Sequence, residues 1–415
     1  MNVKKLNLTG KILIATALGI VAGALFGRQL QPLQLVGDIF LRLVQMNIVL
    51  LVLGHIVEAV GNTNPKELGK IGAKTFVIFI GSSLFAAIWG IAWGVFFQPG
   101  RGVDTSMLSG TGDLKAGTMS FGETLLSFIP QNIIQSMANG TVVHVIVFGI
   151  LFGIALGYVS HQESDRRFLD LITVFNKTII RVLFIIMKIA PISIFAIITT
   201  TVGRLGIQII IPLAKYLGIY GLATLVFWIL WQLWVCAACK VSFMRLMKNT
   251  ANISLMAITT VSSAVTLPTC IKDSQEKCGI GSRTANLVLS LGMTLNSNGA
   301  AMHMAITIIT ISQIYGVQYH LNQLLYIAVL ATLASMANAV APGASVVSLA
   351  IVVPAMGLPL ESIVLFAGID YFVGMLRTIL NVDTDVYTAL LVAKSEGDLD
   401  YGIFNGTRQN NAIAS

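Results

Sequence analysis

The sequence predicts an all-α polytopic membrane protein, and three observations carry that prediction. Hydrophobic residues make up 55% of the chain, only 11% of residues are charged, and mean hydropathy is +0.83. Those are the proportions of a chain whose surface faces lipid. Several apolar runs exceed the roughly 20 residues that a helix needs to cross a bilayer. The runs are continuous rather than alternating, which sets aside a β-barrel. At 415 residues the length would allow two or three soluble domains; with this hydropathy it describes one helical bundle.

The first apolar run, Ile12 to Phe26, has the length of a signal peptide, but more spans follow, so it reads as an uncleaved first helix. Val36–Val60 is the second span, with Arg42, His55 and Glu58 at its polar faces or ends, and Thr75–Phe97 is the third, closed by Pro99-Gly-Arg-Gly102. Arg101 to Gly117 has no hydrophobic period and reads as an exposed loop. Phe121–Tyr158 is a fourth span interrupted at Pro130 and Asn139-Gly140; Asn176–Val202, containing Pro191, is the fifth, and Pro212–Val235 the sixth.

Beyond the sixth span the pattern changes. Asn252–Ile271 is broken by Thr259-Thr-Val-Ser-Ser-Ala-Val-Thr-Leu-Pro268, Asn286–Ile314 by Asn296-Ser-Asn-Gly299, and Leu324–Met356 by Asn338-Ala-Val-Ala-Pro-Gly-Ala-Ser345. A last apolar segment runs from Ser362 to Lys394, and a polar tail follows. Two interrupted segments, each followed by a helix with buried polar groups, point to re-entrant hairpins of an inverted repeat meeting at the membrane midplane. Non-helical backbone is tolerated at that depth only where protein buries it or a cavity is lined by it. Freed carbonyls there suit cations, and helix N-termini suit anions.

The net charge of +8, from 26 basic and 18 acidic residues, reads as positive-inside loops and not as a nucleic-acid footprint. Lys4, Lys5 and Lys11 place the N-terminus in the cytoplasm, and Arg166, Arg167, Lys177 and Arg181 form a second basic cluster. Cys236 and Cys239 form a CxxC, but it has no partner motif and no histidine nearby, so the four cysteines read as packing residues. There is no HExxH and no nucleophile paired with a base, so an intramembrane enzyme is not expected.

The last helix concentrates the chemistry. At 100° per residue, Asp370, Gly374, Arg377, Asn381 and Asp385 fall within roughly an 80° stripe of one face. A charge at the bilayer centre costs on the order of 2.5–3.5 kcal/mol on insertion scales, so this stripe marks a binding site for an ion or small metabolite.

Four motifs in order give the chain its likeness: Ser262-Ser-Ala-Val-Thr-Leu-Pro268, Asn296-Ser-Asn-Gly-Ala300, Ala341-Pro-Gly-Ala344, and Arg377-Thr-x-x-Asn381-x-x-x-Asp385, with Phe128-Ile-Pro-Gln-Asn-Ile133 and Ala138-Asn-Gly140 upstream. In these the chain resembles, over nearly its whole length, the sodium- or proton-coupled dicarboxylate and amino-acid symporters that include the glutamate transporter homologues. The resemblance implies eight transmembrane helices plus two re-entrant helical hairpins, working as an elevator-type transporter in a homotrimer. Residues 1–72 would hold scaffold helices 1 and 2, 73–98 helix 3 of the transport domain, 99–210 a loop and scaffold helices 4 and 5, 211–394 the transport core, and 395–415 a cytoplasmic tail. The second hairpin would be the gate, with Pro342-Gly343 at its tip.

The resemblance also implies site residues. Ser263, Val340, Gly343, Gly374, Arg377, Thr378 and Asn381 would line the substrate, with Arg377 holding a carboxylate bidentately as a planar fork can. Arg377 could instead pair internally with Asp370 or Asp385, Ser263 could merely cap its hairpin helix, and Asn381 could simply satisfy backbone. One sodium would take Gly292, Asn296, Asn381 and Asp385; a second would take backbone around Thr294, Ser335, Met336 and Asn338. Hard cations prefer such oxygen cages. Asp370 would support Arg377, and Asn298, Ser82 and Ser83 would mark a third cation position. His303 could relay protons or be an ordinary buried histidine.

Two departures from the family pattern shape the expected function. Gly374 stands where amino-acid carriers place an aspartate that pairs with the substrate's ammonium, which turns the expectation toward substrates without an amino group. Ser297, Asn298 and Ala300 replace the usual methionine, aspartate and threonine, and Phe79 replaces a tyrosine, so the third cation site should be weaker. The expected function is a secondary active symporter importing a small carboxylate, with a C4-dicarboxylate favoured, driven by sodium and open to proton coupling. The alternative is a sodium-coupled amino-acid symporter for aspartate, glutamate or a neutral amino acid, and the alternative of another class is an anion channel. No cofactor beyond sodium ions is expected. The expected setting is the lipid bilayer of a bacterial inner membrane, with both termini cytoplasmic.

Overall fold

The computed structural model of the protein describes residues 8–62, 65–102, 122, 126, 128–206, 210–336, 344–367 and 369–408. Within them the chain is helical, with no β-strand; one isolated bridge pairs Ile280 with Leu399. Four helical stretches are long and apolar enough to cross a membrane, or five if a bent pair counts as one span. The difference from eight spans has a physical source: the remaining helices are short, are broken where polar residues sit, or, like Asp370–Glu396, carry charged residues along their length.

α1 (Leu8–Phe26) runs through a 3-10 turn, Gly27–Leu33, into α2 (Gln34–Gly61), and α3 (Pro65–Phe97) opens on a proline. Proline suits a first helical position, where its missing N–H would have had no partner. α4 (Ile133–Ala138) and α5 (Val142–Gln162) are separated at Asn139-Gly140-Thr141, where Gly140 takes φ +69°. The expected fifth span is two helices, α6 (Arg167–Ile186) and α7 (Ala190–Leu205), bent by 55°. Pro191 causes the break: its ring would strike the carbonyl of Met187 in a continuous helix, so a new helix starts with the proline in its first turn.

α8 (Ile210–Cys239) leads to hairpin one, made of α9 (Phe243–Thr260) and α10 (Ser263–Glu276). α11 (Ser282–Leu295) and α12 (Asn298–Ile314) form the broken seventh span, with Asn296 and Ser297 out of helical geometry between them. α13 (Leu321–Met336) and α14 (Ala344–Ala355) are the arms of hairpin two. A short α15 (Ile363–Ala367) precedes α16 (Asp370–Glu396), which ends where Gly397 turns left-handed at φ +73°. Asp370 in its first turn and Lys394 in its last both complement the helix dipole.

Packing falls into neighbourhoods. α1 lies on α7, and α2 on α5 and α6; α3 lies on α12 and α13, and α16 is surrounded by α8, α9, α11 and α12. Glycines allow the closest of these approaches: a Cβ on Gly23 would stand 2.6 Å from the Thr199 carbonyl, and one on Gly90 would stand 2.7 Å from that of Met302. Small residues serve this purpose where lipid supplies no hydrophobic drive between helices. The stretch expected as a tail turns back in its described part. Asp400 N–H bonds to Gly279 O, Gly281 N–H to Asp398 O, and Phe404 in α17 (Tyr401–Phe404) is fully buried beside Asn249 of hairpin one.

Candidate functional site

The site is built where helices stop. α10 begins at Ser263, and its cap is the preceding residue: the Ser262 hydroxyl accepts from Val265 N–H. Ser263 is therefore not the capping serine that the sequence left open. α14 begins at Ala344, with Ser345 buried in its first turn. Both N-termini lie against the stripe of α16. Ser345 Oγ accepts from Arg377 Nη1 at 3.0 Å, and a Val261 methyl, just ahead of α10, faces Gly374. Val340, Gly343 and Asn338, expected at the tip of hairpin two, lie outside the described residues.

Arg377 is 7% exposed, and among the described residues no carboxylate stands within ion-pair distance of it. The internal salt bridge with Asp370 or Asp385 is thus not formed. Ser345 stands between the guanidinium and Asp370, whose carboxylate it also reaches. An unneutralised guanidinium in a buried position costs several kcal/mol. It is also five fixed donors in a fork that fits a carboxylate. Thr378, next along the helix, is buried.

Asn381 is committed in part. Its Oδ1 accepts from Gly299 N–H at 2.7 Å, at the start of α12, which leaves the amide NH2 for another partner. A Cβ on Gly299 would stand 2.4 Å from the Arg377 carbonyl, so only glycine lets α12 begin there. Tyr220 OH bonds to Gly299 O at 3.1 Å, and Tyr216 OH to His303 Nδ1 at 2.6 Å. Among the described residues His303 Nε2 is buried with no partner, and no carboxylate bonds to the ring.

Asp385 is 5% exposed and accepts from Asn296 Nδ2 at 2.7 Å. Its carboxylate lies on Gly292, where a Cβ would stand 2.4 Å from Cγ. The structure therefore brings Gly292, Asn296, Asp385 and the backbone of the broken seventh helix to one place. Thr294 turns its hydroxyl to Leu291 O in its own helix, and Ser335 turns its hydroxyl to Thr332 O. Met336, at the end of α13, is buried in the same apolar cluster as Leu295 and Val382.

Ser82 and Ser83 of α3 converge on Asn298, their hydroxyls reaching Oδ1 at 3.2 and 2.8 Å. They also approach Asn296 Oδ1, at 3.5 and 3.3 Å. Asn298 Nδ2 is buried without a partner. The cluster expected around a third cation is assembled, but the serines meet the oxygen of a neutral amide where a carboxylate would draw a cation in.

Three residues at this site lay outside the sequence reading. Asp383, fully buried, accepts at Oδ2 from Trp228 Nε1 of α8 and from Ser254 Oγ of α9, both at 2.8 Å, while its Oδ1 has no partner. Ser345 is the hairpin-two contact of Arg377. Val261 takes φ +51° and ψ +34°, a left-handed conformation costing about 1–2 kcal/mol for a residue with a Cβ. The signal for Asp383 was present: two residues from Asp385 it must project to the far side of α16, toward other helices.

The sequence model described as Sodium:dicarboxylate symporter family matches residues 8–395. The chain belongs to the sodium:dicarboxylate symporter family. Among its relatives in this family, the proton/sodium-glutamate symport protein of Bacillus caldotenax is 31% identical, over 95% of this chain and 96% of that protein. The proton/glutamate-aspartate symporter of Escherichia coli (strain K12) is 32% identical, over 95% and 94%. A C4-dicarboxylate transport protein of Bacillus subtilis (strain 168) is 27% identical over the same two shares. Family membership makes this chain a membrane symporter and no enzyme, with sodium as the coupling ion of the family. The channel alternative parts from the comparisons here, since the family and these relatives are all described as carriers.

Proposed function

We propose that this member of the family is a secondary active symporter that imports a small carboxylate, with a C4-dicarboxylate preferred, in exchange for the energy of a sodium gradient. The observation that carries the reading is Arg377, a buried guanidinium bonded to a serine hydroxyl and, among the described residues, with no carboxylate within ion-pair distance. Such a group is complete only with an anion on it, and the helix N-termini at Ser263 and Ser345 add partial positive charge beside it. Gly374, one turn away, offers an ammonium no partner. Asp385, with Gly292 and the backbone at Asn296 and Asn381, would hold sodium, and the end of α13 at Ser335 and Met336, with Asn338, a second ion. Asn298, a neutral amide whose nitrogen has no partner among the described residues, speaks for fewer coupled cations than a carboxylate there would support. In this reading the protein works as a homotrimer in the bacterial inner membrane, with cytoplasmic termini, and moves its transport core as an elevator.

The second reading is a sodium-coupled amino-acid symporter. One observation favours it: the relatives at 31 and 32% identity are described as glutamate and aspartate carriers, ahead of the dicarboxylate carrier at 27%.

Uptake by reconstituted vesicles of labelled succinate, malate, aspartate, glutamate and serine, with and without imposed sodium or proton gradients, decides between them. The expected result is sodium-driven, saturable succinate uptake that aspartate inhibits weakly. Strong aspartate uptake with no succinate uptake would move the assignment to the second reading. Uptake of all five indifferent to both gradients would remove symport.

A further inference from the structure

Two residues in this protein are each unfavourable for their local structure, and they meet. Val261 ends α9 in the left-handed region, where a β-branched side chain is the worst choice and glycine would fit freely. Gly374 sits inside α16, where almost any other residue would make a better helix. A Cβ on Gly374 would stand 2.7 Å from Val261 Cγ1, its one close contact with another element among the described residues. The valine methyl therefore fills the space into which a side chain at 374 would project.

The backbone at Val261 is fixed from both sides. Its N–H bonds to Ala257 O at 3.0 Å, closing α9, and the next residue, Ser262, is extended and caps α10. The reversal of hairpin one accounts for the left-handed geometry but not for a valine there. Strained positions persist where the surroundings hold them, and such positions gather at functional sites. Here the compensation in view is the contact with Gly374.

We propose that Val261 is a specificity-determining residue of the substrate site, acting with Gly374 as one apolar patch. Gly374 lies one turn from Arg377 on the same face of α16, so a carboxylate on the guanidinium carries its carbon chain toward Val261. The patch accepts methylene carbon and strips water from an ammonium without replacing it. The substrate class it selects is a short dicarboxylic acid without an amino group next to either carboxylate. This inference rests on the proposed carboxylate site at Arg377.

The pair makes a prediction that a single substitution cannot. Gly374→Asp alone drives its Cβ into the valine methyl, so it disturbs hairpin one instead of creating an ammonium site. Val261→Gly relieves both the strain and the crowding. Sodium-driven uptake is measured for wild type, Val261→Gly, Gly374→Asp and the double variant, with succinate and aspartate each as labelled substrate and as competitor. An uncharged cycle, Val261→Ala with Gly374→Ala, is read by the KM for the transported substrate. Size-exclusion profiles check that each variant is folded.

The expected pattern is non-additive. Gly374→Asp loses uptake of both substrates, and the double variant regains aspartate uptake by at least about tenfold over Gly374→Asp, the scale of coupling between residues in contact. Gly374→Ala raises KM, and adding Val261→Ala restores it. If Gly374→Asp alone converts preference as fully as the double variant, or if the effects in both cycles simply multiply, Val261 has no part in specificity. Aspartate preference in the wild type would overturn the dicarboxylate reading instead, while non-additivity in the uncharged cycle would still report the contact.

Discussion

Replacing Arg377 by alanine separates a substrate-binding arginine from a structural one. A structural arginine would hold an internal ion pair, and breaking a buried pair costs about 3–5 kcal/mol of stability. Arg377 has no such pair among the described residues, only Ser345 Oγ at 3.0 Å. Its removal takes a charge with no direct ion pair among the described residues out of a position that is 7% exposed. The empty carrier should therefore melt no lower than wild type. Substrate binding should suffer in full: losing one member of a buried, hydrogen-bonded charge pair costs on the order of 2–5 kcal/mol, which is roughly 30- to 4,000-fold in Kd. Arg377→Lys should fall between, keeping the charge but losing the fork. The assay is thermal melting of purified protein with and without succinate, beside isothermal titration of succinate in sodium. A melting temperature lowered on the scale of a broken ion pair, with succinate affinity unchanged, would refute the reasoning.

The other expectations concern the ions and the frame. Asp385→Asn should raise the half-saturating sodium concentration of uptake by about tenfold or more, the scale of one lost charge-assisted contact, while the bond from Asn296 limits the loss of stability. Asn298→Asp puts a carboxylate where the Ser82 and Ser83 hydroxyls converge, so uptake should become steeper in sodium; an unchanged slope would remove the third-site reading. Trp228→Phe leaves Asp383 Oδ2 with Ser254 alone and should lower stability by about 1–3 kcal/mol in thermal melts, with little change in substrate affinity. Gly299→Ala forces a methyl against the Arg377 carbonyl, and should destabilise by about 1–3 kcal/mol and weaken succinate binding together.

Much of this was legible because the bilayer makes polar residues conspicuous. The stripe from Asp370 to Asp385 stood out from its period alone, and the breaks at Ser262 and Asn296 stood out from residues that end helices. What stayed hidden depends on which helices touch. Pro191 foretells a break in the fifth span, but nothing local in it fixes the 55° between α6 and α7. Asp383 lies on the other side of α16 from the stripe, so its role appeared only with Trp228 and Ser254 in place. Val261 reads as one apolar residue among many; its backbone angle and its neighbour Gly374 distinguish it.

The same contacts give the two hairpins different ties to α16. Hairpin one is fastened at two levels, by Ser254 to Asp383 and by Val261 on Gly374. Those points are about 13 Å apart along α16, since nine residues separate them at 1.5 Å each. Both arms of hairpin one also pack along that helix, whereas α14 of hairpin two meets it over a shorter stretch, with Ser345 on Arg377 as its described side-chain bond. Opening hairpin one would strip the partners from a buried carboxylate and undo the Val261 contact. Among the described residues, opening hairpin two parts Ser345 from Arg377 and Asp370, and a substrate carboxylate can take its place on the guanidinium. Among the described contacts hairpin two carries the fewer ties to α16, which supports the proposed carboxylate site at Arg377 with entry past Ser345 as an exchange of partners.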